Sequence, residues 1–127
     1  DIKLGLRPGH QGDLATLLPK DTQKLVGVYV RDAEPAGGFP DGRPTYTGPK
    51  GYKMQFVPSQ ERWVISFGRL TKFLLDDLAT TPDYAASDAV WEVATADGWC
   101  DVQALVATCV NARLVQGERP AGELRAG

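Results

Sequence analysis

The stretch Tyr52-Lys53-Met54-Gln55-Phe56-Val57-Pro58-Ser59-Gln60-Glu61-Arg62-Trp63-Val64-Ile65-Ser66-Phe67 carries two runs of alternation separated by a turn. Tyr52, Met54 and Phe56 alternate with Lys53 and Gln55, and Trp63, Ile65 and Phe67 with Arg62 and Ser66. Successive side chains of a strand point to opposite faces, so a period of two marks half-buried strands rather than helix. Pro58-Ser59-Gln60 supplies the reversal. The segment is therefore predicted to be an antiparallel hairpin, 52–57 against 62–67, with Trp63, Ile65 and Phe67 inward.

Outward from the hairpin the pattern stays that of strands. Leu25-Val26-Gly27-Val28-Tyr29-Val30 is rich in β-branched residues and reads as a buried strand. Gly37 to Pro44 is a turn-rich loop, Thr45-Tyr46-Thr47 begins a strand, and Gly48-Pro49-Lys50-Gly51 breaks it. Ala89 to Val93 reads as a further strand, followed by the turn residues Asp97-Gly98. Residues 69–79 fit a strand or a short helix equally, with Leu70, Phe73, Leu74 and Leu78 at helical spacing. Residues 102–115 admit both periods and are read as strand, because the preceding turn suits a hairpin. Asp13 to Leu18 reads as one helical turn capped by Asp13 and stopped by Pro19. The fold class expected is mostly β: a compact antiparallel, barrel-like module with extended N- and C-terminal tails.

At 127 residues, 43% hydrophobic and 24% charged, the chain suits one globular domain. Every aromatic residue lies between Tyr29 and Trp99, so the core is expected there. The resulting division is an extended tail over 1–24, an all-β module over 25–110, and an extended tail over 111–127. The formal net charge of -2 argues against nucleic acid as the main partner. No apolar run reaches the ~18 residues of a membrane-spanning helix. The chain begins at Asp1 rather than Met. That start is read as the beginning of a mature protein whose presequence has been removed, with an arbitrary boundary as the alternative.

The residues of catalysis and metal binding are sparse. His10, the single histidine, lies in the first tail and is read as a solvated or docking residue. No phosphate-binding loop or nucleophile elbow is present. Cys100 and Cys109 either form a disulfide across a bend or remain two buried thiols, and periodicity does not decide between them. Asp76, Asp77, Asp83 and Asp88 form a carboxylate-rich segment without the spacing of a calcium loop, and a solvated acidic face is the plainer reading. No catalytic residue, cofactor or metal is expected, and the chain is read as not an enzyme.

Charge is segregated along the sequence. Arg43, Lys50, Lys53, Arg62, Arg69 and Lys72 share their stretch with the single acid Glu61, whereas 73–112 holds seven acids and no Lys or Arg. Either the two halves cancel across the sheet, or the surface is dipolar and its sides meet different partners.

Several short motifs recur in an order that resembles a poorly characterised all-β module of algal and other protist (dinoflagellate-like) proteins. They are Gly42-Arg43-Pro44-Thr45-Tyr46, Arg62-Trp63-Val64-Ile65, Thr81-Pro82-Asp83, and Val90-Trp91-Glu92-Val93 with Asp97-Gly98-Trp99. The resemblance covers about residues 25–110, and Thr81 stands where serine is usual. It implies a compact all-β fold, a photosynthetic-protist source and no transferable catalytic residue.

Together these readings point to a non-catalytic structural or interaction subunit of a larger assembly. The specific expectation is an accessory peripheral subunit of an algal photosynthetic membrane complex such as a photosystem, plastid-located and thylakoid-associated. Its partners would be other protein subunits of a membrane complex, with no nucleic acid and no membrane span of its own. Ile2, Leu4, Leu6 and Arg7 in the first tail, and Leu114, Arg119 and Leu124 in the second, are the expected partner-binding residues. Each tail carries a net charge of +1 and the module -4. A carbohydrate-binding β module is the alternative, and it would need a flat strip of exposed aromatics.

Overall fold

The computed structural model describes residues 1–7 and 17–110. Among these, nine strands form one sheet: β1 (Ile2–Leu6), β2 (Gly27–Arg31), β3 (Tyr46–Thr47), β4 (Lys53–Val57), β5 (Arg62–Phe67), β6 (Leu70–Leu75), β7 (Trp91–Thr95), β8 (Gly98–Val102) and β9 (Leu105–Cys109). A helical turn, α1 (Lys20–Gln23), lies between β1 and β2. The strand order is β8-β7-β6-β5-β4-β3-β2-β1-β9, and every neighbouring pair is antiparallel. The mostly β, antiparallel, barrel-like fold read from the sequence is the fold observed.

The two ends of that order are joined by two residues, Gln103 and Ala104. β8 pairs with β7, and β9 pairs with β1. Alternating directions make β8 and β9 run in the same sense, so the chain bends at Gln103-Ala104 without turning back into a hairpin. Three peptide units span at most ~11 Å, which forces the sheet to curl until it is nearly closed. Counting β8 and β9 as one bent strand gives eight staves, a number at which side chains just fill the interior. Leu4, Tyr29, Met54, Trp63, Phe73 and Leu105 fill it here and are almost completely buried. Leu18 and Leu25, flanking α1, join this core and stopper one mouth.

The boundary at residue 25 is corrected: the sheet begins at Ile2. Ile2 and Leu4 alternate with Lys3, pair with both β2 and β9, and face the core. Five residues without aromatics gave too short a pattern to be recognised. The hairpin 52–67 pairs as expected, with Phe56 opposite Trp63 and Met54 opposite Ile65. Trp63 and Ile65 are fully buried, but Phe67 is 56% exposed. The register of β5 with β6 shifts between Ile65 and Ser66, with Lys72 as the extra residue on β6, so β5 keeps its alternation and Phe67 is its last residue before the turn to β6. Phe67 therefore leaves the interior at the mouth. Residues 70–75 of the ambiguous segment are strand, as are 105–109 of the second, and the latter's remainder past Val110 lies outside the described residues. β2 is half-buried rather than buried, because Val28 and Val30 face outward.

Gly48 has a steric reason to be glycine. A Cβ there would stand 2.3 Å from the Tyr29 ring, whose hydroxyl is fixed by donating to the Leu25 carbonyl at 2.6 Å. Gly48→Ala is expected to destabilise the fold by about 1–3 kcal/mol through overpacking. Leu4→Ala, in a strand with the composition of a tail, should cost about 2–5 kcal/mol. Urea unfolding monitored by tryptophan fluorescence checks both, and a near-zero cost at Leu4 would refute its place in the core.

Candidate interaction surfaces

One mouth of the barrel is roofed by a strap, the segment of residues 76–90 between β6 and β7. Its conformation is held from beneath. Trp63 Nε1 donates to the Ala79 carbonyl at 2.9 Å, and Arg43 donates to the carbonyls of Ala79 at 3.2 Å and Leu78 at 2.6 Å. The Arg43 guanidinium lies 3.9 Å from the centre of the Phe56 ring and is ion-paired with Asp41, so stacking and charge fix it together. From within the strap, the Asp77 carboxylate accepts the amides of Ala79 at 2.8 Å and Ala86 at 3.0 Å. Pro82 is buried, anchoring a single 3-10 turn. An ordered loop thus presents Leu78 and Tyr84 outward, 59% and 78% exposed. Asp76, Asp83 and Asp88 share the segment with them.

The opposite mouth carries the turns β3–β4, β5–β6 and β7–β8 together with α1. Phe67 and Leu70 pair across the β5–β6 turn, and both are exposed there. The Tyr52 ring lies 5.6 Å from that of Phe67, and a Cβ on Gly51 would touch Phe67 at 3.4 Å. The two turns are therefore side by side, with Lys50 and Arg69 exposed around the rings and Lys20 and Lys24 exposed on α1 and just past its end. Lys72 is bound to Asp21 of α1 at 2.6 Å, which ties the stopper to the wall.

The charge segregation of the sequence is resolved by these placements. Of the salt bridges among the described residues, Arg62–Asp76 at 2.8 Å alone joins the basic stretch to the acidic one. Arg43, Lys53 and Lys72 take Asp41, Asp32 and Asp21 instead. Asp83 and Asp88 of the strap are thus left at one mouth and Lys20, Lys24, Lys50 and Arg69 at the other, while Arg31, without a salt bridge among the described residues, ends β2 at the strap mouth.

A second well-connected polar group is Asp32. Its carboxylate accepts from Thr45 Oγ1 at 2.6 Å, Thr47 Oγ1 at 2.7 Å and Lys53 Nζ at 3.0 Å. Partial burial opposes its ionisation, but these three donors outweigh the burial and hold the carboxyl below the ordinary value. Burial pushes the Tyr46 phenol up to about 12, a shift that nearby Asp83 reinforces and Arg31 opposes. Asp32 and Tyr46 therefore keep fixed protonation states at neutral pH.

The residues expected to bind partners are differently employed. Ile2 and Leu4 are core, and Leu6 is partly buried against it. Arg7 clamps the bend between β8 and β9, donating its amide to Ala104 O and its Nε to Gln103 O, both at 2.7 Å. They face inward or are occupied because β1 is a stave and not a tail. Leu114, Arg119, Leu124 and His10 lie outside the described residues, as does most of the expected helical turn 13–18. Cys100 and Cys109 are free and exposed, so neither the disulfide nor the buried-thiol reading holds. Leu78, Tyr84, Phe67 and Leu70 were not legible as surface residues. The helical spacing around Leu78 suggested burial, and the one signal for Tyr84 was its position after Pro82-Asp83 amid acids.

Among the described residues, no group of three or more His, Cys, Asp or Glu side chains is arranged to hold a metal ion, and no helix is long and apolar enough to cross a membrane. The hollow under the strap, bordered by Pro82, Trp91 and Leu105, holds about 70 Å³, and the larger concavities, up to about 640 Å³ beside Asp1, Arg31 and Cys109, are open to solvent. Comparison with protein-family models, curated proteins and solved structures finds no match to this chain.

Trp63→Phe preserves an inward ring but removes the hydrogen bond to Ala79. It is expected to cost about 1 kcal/mol beyond any lost packing and to accelerate amide exchange at Ala79 and Ala86 while β4 and β5 stay protected. A depressed carboxyl stabilises the fold above its unfolded value of about 3.9. Asp32 should therefore contribute stability at neutral pH that disappears as pH falls from about 4 through its folded value. Urea midpoints measured across that acid range should fall more steeply for the wild type than for Asp32→Asn.

Proposed function

We propose that this protein is a non-catalytic interaction subunit of a larger assembly, and that the strap is the surface by which it engages another protein. The observation that carries the reading is a conflict between order and exposure. The hydrogen bonds from Trp63, Arg43 and Asp77 hold the strap in one conformation, yet that conformation leaves Tyr84 and Leu78 in water. A loop fixed before binding loses little further entropy when a partner arrives, which favours affinity. Tyrosine at the centre of a contact is a frequent source of binding energy. Asp83 and Asp88 beside it favour a partner with basic residues at its rim.

The narrower reading, an accessory peripheral subunit of an algal photosynthetic complex such as a photosystem, rests on the motif resemblance alone and belongs to the same proposal, with its plastid location. A carbohydrate-binding role is less favoured, because Tyr84 and Phe67 stand at opposite mouths and form no common strip for a sugar chain.

The test is a double substitution, Leu78→Ser with Tyr84→Ser, in tagged full-length protein expressed in its source cell. Native electrophoresis should show the wild type migrating within a large complex and the variant released from it, with unchanged urea midpoints. Co-migration of the variant with the complex would remove the strap from the interface. A wild type that migrates alone would refute the assembly reading altogether.

A further inference from the structure

We infer that the mouth opposite the strap docks directly on an anionic lipid surface. Three observations carry this. The apolar side chains at this mouth project from adjoining turns: Phe67 and Leu70 are more than half exposed, and Phe67 leans on Tyr52 and over Gly51. The cations around this apolar tip are exposed, and none of Lys20, Lys24, Lys50 and Arg69 forms a salt bridge among the described residues. The turns and helix of this mouth also carry Asp21, which is taken by Lys72, and Asp97 on the β7–β8 turn. Trp99, also substantially exposed, stands on β8 one residue in from the same mouth, a position suited to the headgroup layer where tryptophan collects.

The charge distribution supplies orientation. The protein as a whole is negative and would be repelled by an anionic membrane in most orientations. With the strap and its acids at the far mouth, presenting the basic tip is the orientation that is attracted. Each Lys or Arg near an anionic leaflet adds to binding within a Debye length, and two apolar side chains entering the interface add a part that salt does not screen. Binding of this kind is weak, reversible and oriented, with the strap left facing away from the lipid. The inference goes beyond the protein contact proposed for the strap and does not depend on it.

Flotation of the purified full-length protein with vesicles tests it. Vesicles of phosphatidylcholine mixed with phosphatidylserine should bind at least about tenfold more protein than phosphatidylcholine alone, and added salt should reduce the bound fraction. The pair Lys50→Glu and Arg69→Glu should abolish flotation, and Phe67→Ser with Leu70→Ser should reduce it severalfold, with the β fold retained by circular dichroism because all four side chains are exposed. Leu78→Ser with Tyr84→Ser should float like the wild type, which separates this result from the fate of the strap. Equal binding to both vesicle types, or flotation indifferent to the tip substitutions, overturns the inference. So does a wild type that never floats while the tip substitutions release it from its native complex, an outcome that would assign the tip to an acidic protein face.

Discussion

Gln103 and Ala104 impose the constraint on which the remainder of the fold depends. Because β8 belongs to one end of the strand order and β9 to the other, two residues tether edges that an open sheet would hold many strands apart. The sheet curls to satisfy them, and Arg7 fixes the bend by binding both of its carbonyls. Closure in turn removes most of the exposed edge that an open sheet of this size would offer for unwanted pairing. It also sets the interior volume, and the rings of Trp63, Tyr29 and Phe73 occupy that volume. A barrel so filled has its chemistry on the outside, at the mouths and on the outer faces of the staves.

The sequence was most legible where one pattern governed both local and tertiary structure. The alternation through Met54, Phe56, Trp63 and Ile65 predicted a hairpin, and the observed register places these side chains against one another across it. It was least legible where position in the barrel overrode alternation. Phe67 continues the inward parity of Ile65, yet as the last residue of β5 it stands at the mouth and lies in water. Val28 and Val30 have the composition of a buried strand and lie on an outer face. Ile2 and Leu4 failed the opposite way: two aliphatic side chains in a short glycine- and charge-bearing segment look like tail until their partners on β9, far away in the chain, are known. The strap was hidden for a further reason. Its order comes from Arg43 and Trp63, residues that no local window around Tyr84 contains.

The segregated charges of the sequence become a polarity along the barrel axis. A meander reverses at every turn, so segments of one sign would ordinarily be distributed to both mouths. Here the exposed cations Lys20, Lys24, Lys50 and Arg69 fall on the turns of one mouth and on or beside α1, while Asp76, Asp77, Asp83 and Asp88 fall on the strap at the other. Ion pairs within each region, Arg43 with Asp41 and Lys72 with Asp21, hold side chains in place without cancelling that polarity. Surface pairs of this kind contribute little to stability individually, so their main effect is on geometry.

The pairing of Ile2 with Cys109 also dictates when the molecule can be finished. Of the nine described strands, β1 emerges from the ribosome before the rest, but the strand that seals it to the sheet emerges after the other eight. Until Cys109 has cleared the exit tunnel, the meander from β2 to β8 stands with an unsealed flank, and β1 can have only β2 for company. Non-local pairing of this kind is slow to form, and unsealed strands are what makes nascent chains adhere to one another. Interruption of synthesis before β9 would leave a polypeptide with all of its aromatic rings and no strand to seal the barrel around them. Such a fragment would be material for chaperones and proteases.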